Sequence, residues 1–239
     1  MNFIVKDLLK RFILKSFEEY FNRQIQLWGD ETQKSLQNKK IVIIGSGGLG
    51  CSLAVALGSS GIGQIDLVDF DTVGVHNIHR QIAFTTCDEN RLKCEVLKQH
   101  ILLRSPYVQV NSFPIGFEEF AKNNTTQYDL IIDATDNLPI RAKINQFAKE
   151  HQTPWIYGSV ESFHGQVCFF DEADFSSVFN ISDHKPAGIA APIVMNVASL
   201  QANLALRYLA NLSIKKDCLY YLFFDSQGDF TLQKFLLPK

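Results

Sequence analysis

The chain has 239 residues, 46% of them apolar, enough to bury a substantial core in one or two domains. Its 23 lysines and arginines against 25 aspartates and glutamates leave a net charge of −2. No basic excess points to nucleic acid, and no long acidic run points to a tail.

Five cysteines without a CxxC pair or a regular framework read as reduced intracellular thiols. Near the start, Lys6, Asp7, Lys10, Arg11, Lys15, Glu18 and Glu19 interrupt the apolar residues. The longest apolar runs there, 3–5 and 12–14, are too short for a signal sequence or a membrane span. Val5, Leu8, Leu9, Phe12, Phe17, Tyr20 and Phe21 fall near helical spacing. They predict an amphipathic helix over 1–22, packed on the body or on a partner chain. Acidic residues on its polar face argue against a membrane surface. The expectation is a cytoplasmic protein whose residues 1–239 form one domain.

In chain order, 39–44 form a first strand and 49–60 a helix, stopped by Gly61-Ile62-Gly63. Residues 64–69 are a second strand. Thr86 with Glu89 predicts a capping box for a helix running to Arg104, with Pro106 beyond it. Residues 108–113 are a short strand and 128–133 a buried parallel one. Asn137 can cap the next helix, with Pro139 in its first turn. Strands follow at 155–160 and 166–170. Residues 171–188, weak in periodicity and rich in turn formers, read as a long functional loop. A helix over 193–209 and a hairpin of 219–224 with 230–237 complete the chain. The pattern is an α/β fold: a Rossmann-like, mostly parallel sheet with an antiparallel C-terminal extension.

Three signals follow predicted strands. The first is Gly45-Ser46-Gly47-Gly48-Leu49-Gly50, after the apolar run 41–44. Here Gly45 can turn sharply, Gly47 lets the backbone approach a phosphate, and Gly50 lets helix pack on strand. The second is Asp69-Phe70-Asp71, where Asp69 can accept from ribose hydroxyls. The third is Thr135-Asp136-Asn137. In open parallel sheets such loops converge on one crevice. Asn77, Arg80 and Lys93 could neutralise and orient a triphosphate. Asp136 could hold magnesium together with phosphate oxygens. A hydride-transfer site has less use for such a cation set than nucleotidyl transfer does.

The ordered set Asn22-Arg23-Gln24, GSGGLG with Cys51, LVDFDTV at 67–73, NIHRQ at 77–81, Lys93, DATDN at 133–137 with Arg141, and GIAAP…SLQA at 188–202 resembles the ThiF/MoeB/HesA family, bacterial relatives of ubiquitin-activating enzymes. The resemblance covers nearly the whole chain. It implies ATP-dependent adenylation of the C-terminal glycine of a ubiquitin-like sulfur-carrier protein ending in Gly-Gly, for thiamine or molybdopterin synthesis. It implies that Gly48 lies against the nucleotide and Asp69 holds the ribose. Asn77, Arg80 and Lys93 would contact phosphates, and Asp136 would bind Mg2+. The expected nucleotide-binding set is Gly45, Gly47, Gly48, Gly50, Asp69, Asp71, Asn77, Arg80, Gln81, Lys93, Asp136 and Asn137. Arg80, Lys93 and Asp136 are its catalytic members. Arg23 resembles an arginine that reaches into the other protomer's site, which implies a functional homodimer.

Each residue also has a bland reading. Asp136 could merely cap the following helix, Arg80 and Lys93 could be solvated charges, and Arg23 could end the N-terminal helix. Cys51, Cys94, Cys168 and Cys218 read as buried or partly buried thiols, and His79 and His164 as structural. The chain departs from the family in two places. It lacks the two CxxC pairs that hold zinc in many relatives, so no zinc is expected. Aligned on Gly188 and Pro192, His184 stands where relatives that form a covalent intermediate carry cysteine. The expectation is adenylation alone, with a separate sulfur donor such as a sulfurtransferase attacking the adenylate. The competing functions are an NAD(P)-dependent oxidoreductase and a non-catalytic binding module of the same fold.

Overall fold

The computed structural model describes residues 16–180 and 188–238. Among these residues three short helices, α1 (Phe17–Tyr20), α2 (Asn22–Trp28) and α3 (Asp30–Leu36), lead into β1 (Lys40–Ile44). Then follow α4 (Gly48–Gly58), β2 (Gln64–Val68), α5 (Lys93–Arg104), β3 (Gln109–Phe113), α6 (Phe117–Asn123), β4 (Leu130–Asp133) and α7 (Leu138–Glu150). The remainder is β5 (Trp155–Glu161), β6 (His164–Phe170), α8 (Phe175–Val178), α9 (Ala191–Leu209), β7 (Cys218–Phe224) and β8 (Phe230–Leu236).

Among the described residues, eight strands form one sheet in the order β3-β2-β1-β4-β5-β6-β7-β8. The first five in that order pair in parallel, and β5 to β8 pair antiparallel. The expected mostly parallel α/β sheet with an antiparallel C-terminal extension is thus present. Because β1, β2 and β4 carry apolar residues on both faces, the sheet is covered on both sides. Ile41, Ile43, Leu67 and Ile132 pack with Leu53, Leu97 and Val197 under α4, α5 and α9. Val42, Ile44, Ile131 and Trp155 pack with Phe120, Ile144 and Phe175 under α6, α7 and α8. The chain leaves β1 towards β2 on one side and towards β4 on the other. The carboxyl ends of β1 and β4 therefore flank a topological switch point, where open sheets bind ligands.

Three sequence expectations need correction. Helical structure does not stop near residue 22 but continues through α2 and α3 to Leu36; most of the expected 1–22 helix lies outside the described residues. The capping box is formed by Thr85 with Asp88, not Thr86 with Glu89, and it closes a 3-10 turn at Thr86–Asp88. The long helix begins only at Lys93. Asp88 Oδ2 takes both the backbone N–H and the hydroxyl of Thr85, at 3.0 and 2.8 Å, which fixes the box one residue early. The expected loop 171–188 contains α8, where Asp174 caps by accepting from Ser176 N. His184 lies outside the described residues. Among the described residues, no helix is long and apolar enough to cross a membrane.

Candidate active site

At the end of β1, Gly45 has φ +100°, and a Cβ there would lie 2.6 Å from the carbonyl oxygen of Ala134. Both facts demand glycine. A Cβ on Gly50 would lie 2.1 Å from Gly45 O, so the first turn of α4 lies directly on the loop before it. Gly47 has only the Gln81 amide nearby, at 3.6 Å, and leaves the backbone at the helix start open. Gly48 has a different constraint: its Cβ would meet Val194 Cγ1 of α9 at 2.8 Å.

The end of β2 closes onto this loop. Asp69 accepts from Ser46 N at 2.6 Å and from Asp71 N at 2.8 Å. Burial pushes its carboxyl above the usual range, opposed by those two N–H groups and by Lys93. Asp71 accepts from Lys93 Nζ at 2.8 Å, and its carbonyl takes the Lys93 backbone N–H at 2.9 Å. This ties the start of α5 to the acidic loop. The NIHRQ segment folds between them. Arg80 Nη2 donates to Asn77 Oδ1 at 3.1 Å, and Arg80 Nη1 lies 2.8 Å from His79 Nε2. The backbone of Arg80 lies beside Gly48. Gln81 is buried, and its Oε1, like Ser46 Oγ, has no hydrogen-bond partner among the described residues.

After β4, Asp136 and Asn137 are exposed, and Asn137 Oδ1 accepts from Ile140 N at 3.0 Å as the cap of α7. Asp136 therefore does not have that capping task. A cleft of about 540 Å³ opens here, running from Thr135 and Asp136 past Tyr157 and Ser159 to His164 and Tyr221. Its floor is held by Arg141, buried beneath it. That guanidinium donates to Asp133 Oδ2 at 3.0 Å, to Gly158 O at 2.9 Å and to the Thr135 carbonyl, and lies over the Tyr157 ring at 5.0 Å. From the other face of the sheet, Gln201 Nε2 donates to Asp133 O at 2.8 Å.

Gly45 to Gly50, Asp69, Asp71, Asn77, Arg80, Gln81, Lys93, Asp136 and Asn137 thus gather at the carboxyl edge of the sheet. Arg23 does not. It lies on α2, exposed and bonded to Gln26, while its neighbour Gln24 donates to Ser60 O at the amino edge. Cys51, Cys94, Cys168 and Cys218 are buried, as expected; burial pushes the Cys51 thiol up to about 12 and Cys94 up to about 11. Cys87 is exposed.

Residues 21–237 match the model of the ThiF family. The chain belongs to the ThiF family. It is 32% identical over 221 residues to adenylyltransferase and sulfurtransferase MOCS3 of Dictyostelium discoideum, covering 87% of this chain and 52% of that protein. The chain therefore spans about half the length of that relative. It is 30% identical over 203 residues to molybdopterin-synthase adenylyltransferase of Salmonella typhimurium, covering 80% of this chain and 82% of that one. The crystal structure of E. coli MccB with MccA superposes with a TM-score of 0.82 at 20% identity, covering 94% of this chain and 73% of that chain. This last likeness concerns the fold.

Parts of the candidate site carry no clear mark in the sequence. Arg141 appeared only as a motif residue, although it builds the cleft floor. Gln201, fully buried against Gly158 and Asp133, carried no signal beyond its place in SLQA. His164, expected to be only structural, stands in the wall of the cleft with Nδ1 2.8 Å from Tyr221 Oη.

Proposed function

We propose that this chain is an ATP-dependent adenylyltransferase that activates the C-terminal glycine of a ubiquitin-like sulfur-carrier protein, for thiamine or molybdopterin synthesis. The observation that carries this reading is the convergence of the Gly45–Gly50 turn, Asp69, Arg80, Lys93 and Asp136 at the carboxyl ends of β1, β2 and β4. The printed names of the adenylyltransferase relatives support it.

In this reading the α4 amino end and the open Gly47 backbone receive phosphate, and ionised Asp69 accepts the ribose hydroxyls. Ser46 Oγ and Gln81 Oε1 are buried polar atoms that a nucleotide or its water would satisfy. The carrier's carboxylate oxygen attacks the α-phosphorus, and the bond from that phosphorus to the bridging oxygen breaks. Pyrophosphate leaves and an acyl-adenylate remains, with no proton transferred. Arg80 and Lys93 offset the charge that gathers on the phosphates. The Lys93 ammonium has three N–H groups and gives one to Asp71, so it can still donate to phosphate.

Among the described residues, no group of three or more His, Cys, Asp or Glu side chains is placed to hold a metal by itself. Asp136 is a single exposed carboxylate, which fits a magnesium ion shared with phosphate oxygens and water. Bound there, the ion would screen phosphate charge. Arg23, remote from its own crevice, acts in a second copy, so the enzyme works as a homodimer. Sulfur comes from a separate donor.

ATP–pyrophosphate exchange with carriers ending in Gly-Gly tests this reading. Exchange with none of them at adequate magnesium would defeat it, and would favour the non-catalytic binding module. Protection against thermal unfolding by NAD rather than ATP would restore the oxidoreductase reading.

A further inference from the structure

The cleft is longer than a reacting carboxylate needs. It begins at Thr135 and Asp136, after β4, and ends at Tyr221 on β7, crossing β5 and β6. Three strand spacings of about 4.8 Å make that span about 14 Å. An extended chain advances about 3.4 Å per residue, so the cleft accommodates about four residues.

Its far end is built from rings. Tyr221 and Phe223 alternate onto one face of β7 with centroids 5.0 Å apart and planes within 23°. His164, across the strand pair, stacks within 15° of Tyr221 at 5.9 Å and within 8° of Phe223 at 6.4 Å. The bond between His164 Nδ1 and Tyr221 Oη, at 2.8 Å, fixes the two rings relative to each other. His164 is exposed and Tyr221 half-buried, and both line the cleft, with the half-buried Phe223 stacked on them just beyond its lining. Aromatic faces held in register accept a further flat or broad apolar group without reorganising. Nothing in the adenylation step uses these rings. An acidic side chain seated against these rings would lose hydration without an ionic partner in return, which disfavours it there.

We propose that the His164–Tyr221–Phe223 stack is a specificity-determining subsite, selecting an acceptor whose fourth residue from the C-terminus is aromatic or large and apolar. This rests on the adenylation reading for the direction of the chain, with the terminal carboxylate at Asp136 and the fourth residue at Tyr221. Cross-strand rings that serve only to pack the sheet would show no such preference.

The test uses fluorescently labelled eight-residue peptides ending in Gly-Gly, with Phe, Leu, Ala or Asp four residues from the carboxylate. Binding to the whole protein is read by anisotropy. The Phe peptide is expected to bind at least tenfold more tightly than the Ala peptide, and the Asp peptide most weakly. Tyr221→Ala should bring the Phe-to-Ala ratio below threefold, whereas Tyr221→Phe, which keeps the ring, should preserve it. His164→Ala, at an exposed position, guards against a folding defect and should lower the ratio in the same direction. Unchanged thermal protection by ATP in these variants shows that the nucleotide site is intact. Equal binding of the Phe and Ala peptides, no measurable binding of any, or a preference that survives both alanine variants would overturn the proposal. A preference abolished by the variants without pyrophosphate exchange would support the subsite and defeat the adenylation reading instead.

Discussion

The Lys93 ammonium lies 2.8 Å from Asp71 Oδ2, with the lysine side chain 7% exposed and the aspartate 52% exposed. The pair joins the loop after β2 to the first residue of α5, and it aims a buried cation along the edge of the glycine turn. Because Asp71 is half exposed, water screens the pair, and Asp71→Asn should cost only about 1 kcal/mol in urea denaturation. Its effect on catalysis should be larger than its effect on folding. Without its anchor the lysine is no longer held at one place, so the KM for ATP should rise while the fold persists. Lys93→Met, which keeps length and loses charge, should lower pyrophosphate exchange about 100-fold. An unchanged exchange rate in Lys93→Met would remove the lysine from the catalytic set.

Asp69 gives a pH test with two opposite trends. Burial raises its folded carboxyl above the unfolded value, so over the window between those two values the native chain binds more protons than the unfolded one. Its contribution to stability therefore falls as pH rises through that window and is level above it. Nucleotide affinity should move the other way, rising with pH as Asp69 ionises and can accept from the ribose hydroxyls. Asp69→Asn should flatten both trends. Parallel urea and ATP-binding titrations on the acid side of neutrality, in wild type and variant, measure this. A wild-type affinity that falls with rising pH would contradict the ribose role.

Gly48 separates packing from ligand contact. Its missing Cβ would collide with Val194 Cγ1 at 2.8 Å, and valine has little freedom to turn away. Gly48→Ala should therefore destabilise by about 1–3 kcal/mol through overpacking. Val194→Ala in the same chain should recover part of that loss despite its own cavity. If nucleotide contact were the whole reason for glycine, Gly48→Ala would weaken ATP binding at unchanged stability, and Val194→Ala would rescue nothing.

Strands β1 and β4 were legible because each is built on a short apolar run with buried residues along its length, and β2 because Ile65, Leu67 and Val68 follow the Gly61-Ile62-Gly63 turn; the loops after all three carried unusual residue types. The helices from 22 to 36 were not. Stretch 22–28 buries no residue, and 30–36 buries only Gln33 and Leu36, so no apolar stripe announced them. They form because Gln24 and Gln33 donate to Ser60 O, and Gln37 to Gly61 O, partners far along the chain. The same reason hid Arg141 and Gln201. A buried polar residue is defined by what it bonds, here Asp133, Gly158 and Thr135, and spacing carries no record of that. Asp69 and Asp136 were legible as positions because each lies just beyond a strand, β2 and β4, that the chain pattern already marked; Lys93, at the start of α5, was singled out by its charge and its place after the NIHRQ segment.

Arg23 supports the most demanding prediction. Its helix is docked by Gln24 on Ser60 and by the aromatic cluster of Phe17, Tyr20, Phe21 and Tyr107, all at the amino edge of the sheet. The crevice is at the other edge, about 16 Å away along five residues of strand. An arginine side chain cannot bridge that distance in its own chain while α2 stays docked, so a catalytic Arg23 must serve a second copy. Arg23→Ala and Asp136→Ala should each be nearly inactive in pyrophosphate exchange. If the two variants are mixed and allowed to exchange subunits, half of the dimers are mixed, and each of these holds one site with both residues intact. About a quarter of wild-type activity should return. No recovery, with subunit exchange verified by differently tagged copies, would remove the shared-site reading while leaving the nucleotide assignments in place.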